Sequence, residues 1–248
     1  LFDLLSHSEE TLERSKKTLE RVISITSELG EYFASASPMI IFNCGAMTLK
    51  NTNGSYTIDH QRFFDIINSL DLAGTQLLAQ NMPPNPWYYG GQWKGHFLIR
   101  PEQIVTFCKE TGQGVCLDLS HAYMAACAEG IPFSDYLDAL LPYVRHIHLA
   151  DANSREGEGL QIGEGEIDFV EFFRKFQNYR GTWVPEIWLG HVNGYERAVE
   201  ALAKLNSLNE KSQTGRQISK TKTSTQKANG SCSFAYQQAA LAAKPSSV

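Results

Sequence analysis

Short apolar runs alternate with stretches of helical periodicity along this chain, and each apolar run has a polar residue at or next to its end. The runs are PMIIFN (38–43), TQLLAQ (75–80), GVCLD (114–118), VRHIHLA (144–150) and TWVPEI (182–187). Near-continuous apolar strands separated by helices read as parallel strands covered on the outside. Ser8 to about Ala34 carries Leu12, Leu19, Val22, Ile23, Ile25 and Leu29 at helical spacing, with Ser8 as the cap. Further helices are expected over His60–Leu72, Pro101–Thr111 (opened by proline), Asp168–Asn178 and Gly194–Leu205. One or two more, broken near Pro132, are expected between His121 and about Leu141.

The polar endings are systematic. Asn43, Gln80-Asn81, Asp118 with His121, His148 with Asp151, and Glu186 all fall at the C-terminal ends of strands, which is where β/α barrels build their sites. A doubly wound sheet also binds there, but no Gly-rich phosphate fingerprint follows any of these strands. The expected fold is therefore α/β, a (β/α)8 TIM-barrel-like architecture. Only five strands are visible, so the sequence reads as a barrel lacking its N-terminal strands, with three more expected upstream of Leu1. Residues 1–205 form this partial barrel. Residues 206–248, rich in Ser, Thr, Gln, Lys and Ala, read as a disordered basic low-complexity tail.

Composition removes several alternatives. Among 248 residues, 42% are hydrophobic and 20% charged, which excludes a wholly disordered chain. No apolar run is long enough to span a membrane, and the opening LFDLLSHSEE lacks the basic and apolar regions of a signal peptide. Five cysteines without CxxC spacing point to reduced thiols and a cytoplasmic protein. The tail holds six basic residues and one acid, which leaves residues 1–205 with 16 basic against 26 acidic groups. That acidic body argues against nucleic acid as a partner.

Asp118, His148, Glu186 and Gln80, with His121 beside them, make a set. Carboxylates and imidazoles converging from neighbouring strand ends are what a Mn, Co, Zn or Mg site needs. One such Asp alone reads as a helix cap, and one such His as a satisfied polar residue; four at equivalent ends do not. His146 shares its strand face with His148 but lies one pair deeper, which reads as structural. The loop Arg155–Gly165 offers Arg155 and Glu158 as substrate contacts, or is simply a tight connection capped into its helix by Asp168. Pro84–His96 holds Trp87, Tyr88, Tyr89, Trp93 and His96, suited to a lid over a sugar ring or to a satellite cluster under a long loop. Lys94 and His96 are candidate anion contacts.

The segments GVCLDLSHAYMAA, HIHLADANSREGEGLQIGEGEIDF and WVPEIWLGHVNG together resemble the xylose isomerase-like β/α barrel superfamily. That group includes sugar isomerases and epimerases and endonuclease IV-like apurinic-site nucleases. The resemblance covers about Phe2 to Leu205. It implies Asp118, His148 and Glu186 as metal ligands and His121 as a substrate or second-metal contact; Arg155, Glu158, Trp87 and His191 are the further candidate substrate contacts. In the epimerases it further implies a glutamate in an ENxPP-like segment, both ligand and second proton-transfer base. Here that segment reads Gln80-Asn81-Met82-Pro83-Pro84. A glutamine oxygen can still ligate a hard cation, but it accepts no proton at neutral pH.

The leading expectation is a metal-dependent sugar or sugar-phosphate isomerase or epimerase working by proton abstraction next to a carbonyl, with Glu186 and the position of Gln80 as its catalytic pair. The second is an inactive or truncated barrel remnant, given Gln80, Asn43 and the strand count. The third, an endonuclease IV-like phosphodiesterase, needs a histidine where Asn43 stands and an Asp-x-His where the loop reads EGEGLQIGEG. The expected partners are a small sugar and, through open strand edges, further copies of the chain; a membrane is not among them.

Overall fold

The computed structural model describes residues 2–33, 37–49, 56–88, 90–154 and 157–220. Helix α1 (Glu9–Glu28) starts at Ser8, whose side chain accepts from Thr11 N. It buries Leu12, Ser15, Leu19 and Ile23, one face at helical spacing. Strand β1 (Met39–Phe42) follows, then β2 (Met47–Leu49), α2 (His60–Ser69), β3 (Gln76–Gln80), β4 (Trp87–Tyr88), β5 (Gly91–Gly95) and α3 (Pro101–Thr111). The second half runs β6 (Gly114–Asp118), α4 (Leu119–Glu129), α5 (Phe133–Leu140), β7 (Val144–Leu149), α6 (Phe169–Lys175), β8 (Thr182–Pro185) and α7 (Val192–Lys220).

Five strands form one parallel sheet in the order β1-β3-β6-β7-β8. Each crossover is helical, and the helices pack on one side, over Phe63, Ile104, Phe107, Tyr136 and Phe172. This is the parallel half of a TIM-barrel-like fold. Among the described residues, the outer edges of β1 and β8 have no partner strand. The inner face is correspondingly open at the β8 end, where Val184 remains 41% exposed on the face that a closed barrel fills. Exposed apolar side chains include Val22, Ile25, Leu29 and Phe33, on and just after α1, and Trp188, Leu189, Val192 and Val199, which follow β8 in the chain.

Register positions the site. Asp118 pairs directly with His148, Gln80 with Cys116, and His148 with Val184. Side chains alternate with a period of two, so Gln80, Asp118 and His148 share the inner face. Glu186, two residues beyond Val184, continues that face past the strand end. The ladder survives the proline at 185, because Glu186 N donates to Leu149 O at 3.0 Å.

Three features depart from the sequence reading. A small antiparallel sheet, β2-β5-β4, stands above the strand ends; its strands are two to five residues long and too short to leave a periodic signature. Helix α1 stops at Glu28 and gives way to a 3₁₀ turn, Gly30–Tyr32. The domain boundary placed at Leu205 falls inside α7, which continues to Lys220, with Leu205 and Ser212 buried and Leu208 against the core. Helix-forming Leu, Glu and Lys sustain it, although the residues after 205 are mostly polar. Residues 221–248 of the expected tail lie outside the described residues.

Truncation at Leu205 is therefore expected to destabilise relative to truncation at Lys220. Loss of the Leu208 and Ser212 contacts corresponds to about 1–3 kcal/mol, a fall in Tm of several degrees for a chain this size. Differential scanning calorimetry of the two truncated forms checks this; equal Tm values contradict it.

Candidate metal centre

Asp118 is the last residue of β6 and the N-cap of α4. Its Oδ1 accepts from His121 N at 2.9 Å and Ser120 Oγ at 2.8 Å. Asn81, at the end of the neighbouring strand, grips the Asp118 backbone on both sides: Asn81 Nδ2 donates to Asp118 O at 3.0 Å, and Asp118 N donates to Asn81 Oδ1 at 2.7 Å. Oδ2 is left facing the strand ends, 3.2 Å from Gln80 Nε2 and 3.9 Å from His148 Nδ1. His148 Nδ1 also lies 2.5 Å from Glu186 Oε2 and 3.4 Å from Gln80 Nε2. One ligand atom each from Asp118, His148 and Glu186 falls within a 4.8 Å cluster. His146, by contrast, bonds Thr182 Oγ1 at 2.6 Å and stacks edge-on against His148, so it supports the site from below.

The donor set suits a divalent cation. Two carboxylate oxygens and one imidazole nitrogen are a mixture that Mn, Co and Zn accept, while Mg favours oxygen alone. Turning the Gln80 amide by half a turn about its last torsion brings Oε1 to the place of Nε2 and adds a neutral oxygen. Burial raises the proton affinity of Glu186, but its hydrogen bond and charge interaction with His148 outweigh that and hold the carboxyl below its ordinary value.

His121 is buried beneath the cavity. Nδ1 sits 2.9 Å from Asn81 O, and Nε2 3.1 Å from Glu158 Oε1. Burial disfavours its charged form, yet Asp118, Glu158 and the Asn81 carbonyl together push it up to about 9. Glu158 is thus brought to the site through His121. The loop that carries it is ordered by Asp151, whose carboxylate accepts from the backbone N–H groups of Ala152, Gly163, Gly165 and Ile167 at 2.9–3.1 Å. At Gly165 a Cβ would stand 2.4 Å from Asp151 Oδ1 and 2.5 Å from Ala152 O, so no side chain fits there.

A cavity of about 720 Å3 opens over these groups. Gln80, Asp118, His121, Glu158, Glu186, His191 and Trp87 line it, together with Trp188, Leu189, Ser120 and the backbone at Gly90 and Gly159. The structure thus brings Gln80, Trp87, Asp118, His121, His148, Glu158, Glu186 and His191 together; Trp93 and Lys94 are not in the lining, and Tyr89, Arg155 and the side chain of Tyr88 lie outside the described residues. His96 is turned to Thr48 Oγ1 at 2.8 Å and stacked on Tyr56 at 4.7 Å, away from the cavity lining. The sequence reading missed Trp188 and the clamping role of Asn81. Trp188 lies two residues after Glu186, the spacing that places it on the same side, and Asn81 was visible as strand-end punctuation.

The family model for the xylose isomerase-like TIM barrel matches residues 1–208. The chain belongs to that family. A D-tagatose 3-epimerase-like protein matches with a TM-score of 0.63 at 19% identity, over 87% of this chain and 76% of that one. An L-ribulose 3-epimerase gives 0.66 at 15%, over 88% and 75%. A probable 3-DHS dehydratase of Bacillus anthracis gives 0.56 at 15%, over 84% and 73%. These likenesses concern the fold. Among curated proteins, an uncharacterized protein of Methanocaldococcus jannaschii is 26% identical over 151 residues, 59% of this chain. The chain spans about half the length of that relative (48%). No helix among the described residues of this barrel is long and apolar enough to cross a membrane.

The His121 cluster predicts a pH dependence for the metal-free protein. A raised imidazole value means stabilisation fully present below the ordinary 6.5 and lost as pH rises through about 9. Tm measured in EDTA should fall across that window, by the equivalent of a few kcal/mol at most. In His121→Gln the slope should flatten. A parent Tm independent of pH between 6.5 and 9 contradicts the assignment.

Proposed function

We propose that this barrel is a divalent-metal-dependent sugar or sugar-phosphate isomerase or epimerase. The observation that carries the reading is the 4.8 Å cluster of Asp118, His148 and Glu186 ligand atoms at the mouth of the cavity. Mn, Co, Zn or Mg held there would polarise a substrate carbonyl and its neighbouring hydroxyl, lowering the barrier to removing the intervening proton. Asp118 and His148 would act as ligands, Gln80 as a neutral ligand, and Glu186 as both ligand and proton acceptor. Trp87 and Trp188 offer apolar faces to a carbon skeleton, while His121, Glu158 and His191 offer polar contacts; Arg155 is assigned to substrate binding on sequence alone.

The small sugar substrate is inferred from the site chemistry and from the names of the two epimerase relatives. The acidic body disfavours nucleic acid, and the buried thiols of Cys44, Cys108 and Cys116 suit a reducing compartment such as the cytoplasm. The unpaired outer edges of β1 and β8 among the described residues favour self-association. A second reading, an impaired or inactive barrel, is favoured specifically by Gln80, since an amide cannot replace a general base that contributes ~10²–10⁴-fold.

Isothermal titration with Mn2+ tests the metal site on which the leading reading stands. The parent is expected to bind one ion. Gln80→Glu adds a charge at bonding distance and should tighten binding about tenfold or more, on the order of 1–4 kcal/mol at the separations involved. Glu186→Gln should weaken it. Asp118→Asn should abolish it, while asparagine keeps the helix cap. If none of the three substitutions changes Mn2+ binding, the strand ends are not a metal site.

A further inference from the structure

We infer that the opposite end of the sheet carries a second ligand site, which takes a small phosphate monoester with a compact apolar body. A cavity of about 400 Å3 opens there, among the turns that lead from α5 into β7 and from α6 into β8. Arg145 is the second residue of β7, and Gly181 directly precedes β8. The metal centre stands at the other ends of the same strands. Along β7 alone, Arg145 and His148 are separated by about 10 Å of strand. The lower face of a β/α barrel ordinarily serves stability, whereas this cavity is large enough for a small molecule.

Its lining concentrates positive charge on an acidic body. Residues 1–205 hold 16 basic groups against 26 acidic ones. Arg145, Lys175 and Arg180 nevertheless all line this one cavity, and among the described residues no carboxylate does. Lys175 Nζ is paired at the rim with Asp138 Oδ1. With that pair neutral, two guanidiniums set the local charge. They match the charge of a phosphate monoester near pH 7, about −1.5 to −2. A carboxylate would balance only one of them.

The cations are held in place by the fold. Arg145 Nη1 donates to the carbonyls of Pro142 at 3.0 Å and Val144 at 3.1 Å, while Nε and Nη2 have no partner among the described residues. A Cβ on Gly114 would stand 2.6 Å from Arg145 Cγ, so the arginine stem lies where glycine alone leaves room. Arg180 Nη1 is anchored in the same manner, to Gln177 O at 3.3 Å and Tyr179 O at 3.1 Å. Tyr179 donates its hydroxyl to Thr182 O at 2.9 Å and joins Leu141 and Val144 to give the cavity an apolar wall. Anchored guanidinium forks suit paired phosphate oxygens, and the wall beside them suits the carbon body attached to that phosphate.

Isothermal titration of the full chain tests this, in EDTA so that no metal bridges the probe, and at low ionic strength. Phenyl phosphate should bind with a sub-millimolar Kd. Inorganic phosphate, which lacks the apolar contact, should bind several-fold more weakly, and benzoate about tenfold or more weakly. Arg145→Gln and Arg180→Gln should each weaken phenyl phosphate by about tenfold or more, the loss of one charge-assisted contact. A thermal melt accompanies each variant; Arg180 is exposed, so its replacement should leave the fold intact. Asp138→Asn should tighten binding several-fold by releasing Lys175. A parent that binds no phenyl phosphate overturns the inference. Binding that survives both arginine substitutions overturns it as well, and places the anion in the cavity over the metal centre. An Asp138→Asn form that binds no tighter contradicts the charge matching on which the choice of phosphate stands.

Discussion

Asp118 divides its carboxylate between two tasks, and the site depends on that division. One oxygen ends a strand and starts a helix by accepting from Ser120 and His121; the other is turned inward to Gln80 and His148. A cap of this kind contributes about 1 kcal/mol to the helix. Its larger effect is geometric. With Oδ1 fixed by two donors and the backbone gripped by Asn81, Oδ2 has little freedom, so the position of a ligand is set by the same bonds that fold the βα unit.

The rest of the centre is built outward from that point by register. Pairing of Asp118 with His148 sets the imidazole beside the carboxylate, and the next strand, continued past Pro185 by the Glu186–Leu149 bond, delivers the second carboxylate. Asp151 performs the equivalent task one layer out, gathering four backbone N–H groups so that Glu158 reaches His121. The site is thus a product of strand ends and two buried aspartates, one at each strand-to-loop transition. Its irregular member is Gln80, an uncharged amide facing Asp118 and His148.

Strands and site residues were legible in the sequence because both follow short periods. Each of the five parallel strands appeared as an apolar run, and Gly114–Asp118 and Pro101–Thr111 fell at their observed bounds. Asp118, His148 and Glu186 stood out because each ends such a run. What escaped had no period to reveal it. The β2-β5-β4 sheet is made of strands a few residues long joined through loops rich in aromatics. The extension of α7 beyond Leu205 rests on a few packed residues, Leu208 and Ser212 among them, in an otherwise polar stretch. The linking of Glu158 to His121 depends on a loop whose shape comes from backbone bonds to Asp151, which no spacing rule encodes.

The central claim is that Asp118, His148 and Glu186 are ligands of one divalent cation, placed by the cap at Asp118. Anomalous diffraction at the manganese edge, from crystals grown with Mn2+, tests it most directly. The account predicts a single strong peak within bonding distance of Asp118 Oδ2, His148 Nδ1 and a Glu186 carboxylate oxygen, with Asp118 Oδ1 still accepting from His121 N. A structure from such crystals with no peak there, or with the metal bound elsewhere while the His148–Glu186 contact stays closed, contradicts it.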